Sequence, residues 1–75
     1  SYAIVDQGLG ADDHSCILVL EGNFYGMGYL PADYNNFDIP ALQELLTQYR
    51  ENSFIRNMVH GFAARYPDKV RWLNP

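Results

Sequence analysis

Residues 15–31, SCILVLEGNFYGMGYLP, decide the fold, because an apolar run meets a glycine-rich run across a short turn signal. Gly22-Asn23 predicts a tight hairpin turn, since both residues tolerate the positive φ that the primed turns need. Residues 15–20 and 24–30 are then neighbouring antiparallel strands. The first of the two is apolar at nearly every position, which favours a central place in the sheet.

The glycines of the second strand favour a role in packing over a role in phosphate binding. A phosphate-binding loop needs glycines between a strand and a helix, where backbone N–H groups meet the anion, whereas Gly26 and Gly28 lie inside a predicted strand. We expect them to make room for a helix or to admit a bulge. Alternation predicts a flat face and a bulky face. The flat face holds Phe24, Gly26, Gly28 and Leu30, and the bulky face holds Tyr25, Met27 and Tyr29.

The segments outside this hairpin supply one more strand and a possible edge strand. Residues 2–5, YAIV, are β-branched and aromatic and predict a first strand, followed by turn formers from Asp6 to His14. Residues 69–73, KVRWL, have period-two character. They predict either a fourth strand at the sheet edge or the start of a linker.

Two helices are predicted after the hairpin. Asp38 before Ile39-Pro40 is typical of a helix start, and this helix is expected to end near Tyr49 or Arg50. Asn52-Ser53 starts the second helix. The apolar stripes are Ile39, Leu42, Leu45, Leu46 and Tyr49, then Ile55, Met58, Val59, Phe62 and Tyr66. The sequence therefore predicts an α+β fold, a three-stranded antiparallel meander with both helices packed on one face.

Length and composition indicate one small globular domain, residues 1–75. The chain is 48% hydrophobic and rich in aromatics, unlike a disordered segment. It begins SYAIVDQG without an initiator Met, and we therefore expect it to be a part of a longer protein. Its longest apolar run, CILVL, is too short to span a bilayer, so no membrane partner is expected. The single cysteine, Cys16, favours the cytoplasm.

Charge is divided between the two parts of the chain. Residues 1–49 contain seven acids and no Lys or Arg, whereas residues 50–75 contain five basic residues and two acids, giving about −7 and +3 and a net charge of −4. Such a polarised molecule can dock on a charged partner, although attraction between its own two parts is the simpler interpretation.

No catalytic, cofactor or metal site is predicted. Asp12, Asp13 and His14 are possible ligands, but adjacent loop residues point apart. Cys16 lies in an apolar strand and His60 in a helix, where a structural role is the better interpretation. We therefore expect no cofactor in this chain.

Aromatic and basic side chains are the remaining candidates. Tyrosines beside arginines can stack on and neutralise single-stranded nucleic acid. The candidate contacts with nucleic acid or a protein partner are Tyr25, Tyr29, Arg50, Arg56, Arg65 and Arg71. Core packing is the alternative role for the tyrosines.

The chain also resembles the C-terminal region of Bacteroidetes proteins of the DNA polymerase III epsilon type. That family joins a DnaQ-like 3′–5′ exonuclease to a GIY-YIG module similar to the N-terminal part of an excinuclease. The matching positions are Asp6 and Gly8, Glu21 with Gly22 and Phe24, Gly26-Met27-Gly28-Tyr29, and Tyr49-Arg50-Glu51-Asn52. The exonuclease acids and the GIY-YIG residues belong to modules absent from this sequence, so the resemblance carries over no catalytic residue.

The resemblance implies a non-catalytic accessory domain of a replication or repair exonuclease that docks another domain of its parent protein, another partner, or DNA. A truncated ribonuclease H-like nuclease is one alternative, since that fold also opens with three antiparallel strands and carries an early acid at the position of Asp6. The other alternative is a homodimerisation module.

Overall fold

A hairpin forms the centre of a five-stranded antiparallel sheet. In the computed structural model, which describes residues 1–73, the strands are β1 (Tyr2–Gln7), β2 (Asp13–Leu20), β3 (Asn23–Pro31), β4 (Thr47–Gln48) and β5 (Val70–Trp72). The helices are α1 (Ile39–Leu45) and α2 (Ser53–Arg65), and a 3-10 turn over Pro67–Lys69 leads into β5. The strand order is β4-β3-β2-β1-β5. The fold is α+β as predicted, and the C-terminal strand forms by pairing with β1.

The hairpin turn lies one residue earlier than predicted. Leu20 pairs with Asn23, so the turn residues are Glu21 and Gly22, with φ of 51° and 84°. This register sets Val19 opposite Phe24, and both side chains are buried in the same core. A turn at Gly22-Asn23 would have lost that pair, and burial therefore decides the register.

Replacing Glu21 by asparagine is expected to stabilise the domain by about 0.5–1 kcal/mol. Glu21 is the one positive-φ residue other than glycine in the described part of the chain, and Asn adopts this conformation more readily. Urea unfolding measures the change. Glu21→Gln is the control, because it removes the charge and keeps the strained backbone. Equal stability of the two variants would contradict the explanation.

A β-bulge at Tyr25 changes which β3 side chains share a face. Phe24 and Gly26 pair with adjacent residues of β2, so Tyr25 between them is the extra residue. Phe24 therefore packs on one side of the sheet, and Tyr25 packs against the core on the other side. The predicted face that joined Tyr25 to Met27 and Tyr29 is wrong, because it assumed unbroken alternation.

The two helices cover opposite faces of the sheet, and the prediction that both pack on one face is wrong. The α1 side has a core of Ala3, Cys16, Leu18, Leu30, Leu42, Leu46 and Leu73. The α2 side has a core of Tyr2, Ile4, Val19, Phe24 and Val59. The central strands are apolar at successive positions, so both faces need a cover.

The two glycines of β3 make room for the chain after α1. α1 ends at Leu45, short of the predicted Tyr49, and Leu46 is extended and buried. A Cβ on Gly28 would lie 3.1 Å from Leu46 Cδ2, and one on Gly26 would overlap the carbonyl oxygen of Thr47. The glycines therefore act in packing, as predicted, but the packed element is the extended segment that forms β4.

α2 begins where the sequence predicts. The Asn52 side-chain oxygen accepts a hydrogen bond of 2.9 Å from the Ile55 N–H and caps the helix. Val59 is buried, and Ile55 and Phe62 are half-buried beside it. Met58, predicted to be buried, is 59% exposed. It lies about 100° from Val59 around the helix, on a flank that does not reach the sheet.

Candidate functional site

α2 covers only one end of its side of the sheet. Its core partners, Tyr2, Ile4, Val19 and Phe24, lie toward the hairpin turn. Farther along the same face, Ile17 pairs with Met27 and Ser15 pairs with Tyr29. Met27 is 44% exposed and Tyr29 is 52% exposed. We call this region, formed by Ser15, Ile17, Met27 and Tyr29, the bare sheet face.

A groove of about 400 Å³ runs along the bare sheet face. Thr47 and Tyr49 form its wall at the β4 edge. The Tyr49 N–H donates a 3.0 Å hydrogen bond to the Tyr25 carbonyl oxygen, which holds the wall in place. The Tyr49 ring stacks on Phe24 with 6.5 Å between ring centroids. The aromatic wall of the groove is therefore held by a hydrogen bond and by ring stacking.

The two flanks of α2 have different surroundings. The flank with His60, Ala63 and Ala64 lines a separate apolar groove near Ser1 and Gly22 at the hairpin end. Phe54 and Met58 lie on the other flank, outside this groove.

Phe54 and Met58 continue into an exposed stripe along α2. Phe54 is 74% exposed, and Gly61 follows two turns later on the same side of the helix. Apart from its two chain neighbours and the nearby backbone of its own helix, no described residue has an atom within 4 Å of the place where a Gly61 Cβ would lie. We call Phe54, Met58 and Gly61 the α2 stripe.

The structure does not bring the six candidate contact residues together. Tyr29 lies on the bare sheet face, whereas Tyr25 is half-buried on the α1 side. Arg50 is exposed and directly follows Tyr49 at the groove wall. Tyr29 and Arg50 therefore flank one groove, and Tyr25 does not contribute its ring to it.

The other three arginines have local partners. Arg56 forms a 3.4 Å ion pair with Glu51, and the Arg65 guanidinium lies 5.6 Å from the Tyr66 ring. Arg71 lies 4.5 Å from the Phe37 ring on the α1 side. β5 is also three strand spacings from β3, which is roughly 14 Å. Arg71 therefore belongs to a different surface from Tyr29.

Asp6, the acid of the nuclease alternative, is engaged by a lysine. Its carboxylate accepts a 2.5 Å hydrogen bond from the Lys69 ammonium and a 2.7 Å bond from the Gln7 N–H. Two hydrogen bonds lower the pKa of Asp6, the larger effect coming from Lys69 and the smaller from the Gln7 N–H. The same bond to Asp6 raises the pKa of Lys69. Within residues 1–73, no group of three or more His, Cys, Asp or Glu residues is placed to hold a metal ion.

The Asp6–Lys69 pair predicts a contribution to stability that disappears in acid. Because the folded-state pKa of Asp6 is lowered, this contribution is present above about pH 4 and is lost as pH falls through the folded pKa. Asp6→Asn should lower the urea midpoint at pH 7 and have little effect near pH 2. Asp33→Asn, in an exposed loop, is the control. An equal loss at both pH values would contradict this role.

The remaining candidate chemical groups make contacts within the fold. Asp13 Oδ1 accepts a 3.0 Å hydrogen bond from the Gly10 N–H and so closes the β1–β2 loop. Cys16 is fully buried, and desolvation raises the pKa of its thiol to about 11. The His60 ring lies 6.3 Å from the Tyr2 ring. Cys16 lies in a core strand as predicted, while the structural roles of Cys16 and His60 stay predictions.

Sequence reasoning missed the α2 stripe. Met58 fits the apolar spacing of a buried helix face, and Phe54 lies one helical turn before it. The signal that could have indicated the α2 stripe was Gly61, because a glycine inside a helix lowers stability by about 1 kcal/mol relative to alanine. In the described part of the chain, nothing beyond its chain neighbours and the nearby backbone of α2 lies within 4 Å of a Cβ at this position.

Comparison with protein-family models, curated proteins and solved structures found no match. No helix within residues 1–73 is both long and apolar enough to cross a membrane.

Proposed function

We propose that this chain is a non-catalytic docking domain of a DNA polymerase III epsilon-like 3′–5′ exonuclease protein that acts in replication or repair. The motif resemblance over residues 6–52 supports this parent. The single, buried Cys16 fits a reducing compartment, so the proposed location is the cytoplasm. The chain contributes association, and catalysis belongs to other domains of the parent.

The bare sheet face is the observation that carries the proposal. Small soluble domains rarely leave a contiguous group of large apolar side chains in solvent, and such groups mark association sites. Tyr, Phe and Met are also the side chains enriched at protein interfaces. Met27, Tyr29 and Tyr49 lie at one groove, and the α2 stripe is a second exposed apolar group.

The charge distribution favours a protein partner over DNA. The chain carries a net charge of −4, and a nucleic-acid surface needs a concentrated basic patch. Arg56 is paired with Glu51, and Arg71 lies on the other side of the sheet. Arg50 is left beside the groove wall, which is too little charge for phosphate-driven binding.

A two-ligand NMR titration tests the proposal. The ¹⁵N-labelled chain is titrated with the exonuclease domain of the parent and, separately, with single-stranded DNA. We expect the protein to shift amides of Met27, Tyr29 and Tyr49, and Tyr29→Ser to weaken binding at least tenfold. Leu45→Ser, which alters an equally exposed apolar residue on the α1 side, is the control.

Two results would overturn this function. One is the absence of any shift with the protein. The other is salt-dependent DNA binding that Arg50→Ala weakens, which would make the domain a nucleic-acid module.

A further inference from the structure

We propose that the outer edge of β5 binds an extended acidic peptide, which adds to the sheet as a further antiparallel strand. Within residues 1–73, β5 is the last strand on its side of the sheet, and β4 is the last on the other side. The bare sheet face lies toward β4. The peptide site is therefore a second surface, separate from the one that carries the proposed docking function.

The backbone of β5 points hydrogen-bonding groups away from the sheet. The Leu73 N–H donates a 3.0 Å hydrogen bond to the Ser1 carbonyl oxygen. Because backbone groups point to alternate sides along a strand, the N–H and C=O of Arg71 also face β1, whereas those of Trp72 face outward. A strand that pairs with Trp72 can therefore both donate to and accept from its backbone, as in other cases of strand addition.

The 3-10 turn sets the place where this pairing ends. The Val70 N–H donates to the Pro67 carbonyl oxygen, so Val70 offers an incoming strand only its C=O. Asp68 lies within the turn, before this point, and is outside the paired segment. An added strand therefore meets the edge over Val70–Trp72, the length of β5.

Trp72 provides an apolar contact at this edge. Its side chain is 76% exposed and packs edge-on against Tyr2, with 5.2 Å between the ring centroids. Beside it lies the apolar groove between β5 and α2, about 540 Å³ in volume, which His60, Ala63 and Ala64 also line. An apolar side chain of the added strand, opposite Trp72, would lie against its ring at this groove.

Arg71 determines the charge of the peptide. Successive side chains of a strand point to opposite faces, so Arg71 lies on the α1 side near the Phe37 ring while Trp72 lies on the α2 side. In the described part of the chain Arg71 forms no ion pair, whereas Lys69 is paired with Asp6. An acidic side chain opposite Arg71 would complement it. The matching peptide therefore alternates apolar and acidic residues.

Titration with the acetylated and amidated peptide Val-Glu-Val-Glu-Val tests the inference. We expect it to shift the amide signal of Trp72 and the fluorescence of this residue, the one tryptophan of the chain. N-methylation of the central valine removes the N–H that would bond to the Trp72 carbonyl oxygen and should weaken binding about tenfold. N-methylation of a glutamate, whose N–H would face away from β5, should have little effect.

A charge exchange tests the role of Arg71. Arg71→Glu should weaken binding of the glutamate peptide about fivefold and should favour Val-Lys-Val-Lys-Val instead. Arg50→Glu is the matched control, because it changes the net charge equally but lies just after β4, at the opposite edge of the sheet. It should leave the preference for the glutamate peptide unchanged.

Three results would overturn the inference. The first is no shift at Trp72 with millimolar peptide, and the second is equal binding of the two N-methylated peptides. The third is an Arg71→Glu variant that still prefers glutamate. Shifts at Met27 and Tyr29 in place of Trp72 count as the first result, and they would assign the peptide to the bare sheet face.

Discussion

Gly26→Ala is expected to lower the free energy of unfolding by about 2–3 kcal/mol. The new Cβ would overlap the Thr47 carbonyl oxygen and lie 3.0 Å from the Gln48 Cα. Both neighbours are backbone atoms of β4, so no side-chain rotation can relieve the contact. The extended segment would have to leave β3, which would also break the hydrogen bond from Tyr49 to Tyr25.

Urea unfolding of the variant measures this loss. Gly10→Ala is the control, since its Cβ would have no described neighbour within 4 Å and it lies in an exposed loop. The expected difference between the two variants is at least about 1.5 kcal/mol. A Gly26→Ala variant within about 0.5 kcal/mol of the control would show that β4 does not press on the glycine face.

Leu42→Ala is expected to have the largest effect, a loss of about 2.5–4 kcal/mol. Leu42 is fully buried and is the buried residue within α1. α1 has seven residues, and the Asp38 side chain makes no capping hydrogen bond, so the helix cannot persist without its anchor. A 75-residue domain has only about 5 kcal/mol or a little more to lose.

Amide hydrogen exchange and urea unfolding measure the consequence. α1 should lose exchange protection first, and the global midpoint should fall strongly. Leu45→Ala alters the same helix at a half-exposed position and should cost less than about 1 kcal/mol. Similar losses for the two variants would mean that α1 is not held through Leu42.

Local signals in the sequence predicted most of the elements. The hairpin and the helix cap at Asn52 follow from short patterns whose physics is contained within a few residues. Asn52 caps α2 because its own side chain reaches the N–H of Ile55. Such features need no knowledge of distant segments.

The predictions were wrong where the structure depends on contacts between segments that are far apart in the sequence. The turn register depends on Phe24 meeting Val19, and the bulge at Tyr25 depends on both faces of the sheet being filled. The position of α2 opposite α1 follows from apolar residues on both faces of the central strands. Apolar spacing gives the buried side of a helix but not the face of the sheet that it covers.

The candidate site was predicted only in part. The exposure of Tyr29 agrees with the prediction of a partner contact, while the contact itself stays a prediction. The pairing of Asp6 with Lys69 joins residues 63 positions apart, which no local pattern reveals. Met58 was assigned to the core because its spacing fits a buried stripe that α2 does not fully bury.

The central claim is that the bare sheet face and the α2 stripe form the association surface of this domain. Amide spectra of the ¹⁵N-labelled chain, recorded during titration with the exonuclease domain of the parent, test it most directly. The account predicts shifts at Met27, Tyr29, Phe54 and Met58, and constant positions throughout α1. Shifts confined to α1, or spectra that do not change during the titration, would contradict it.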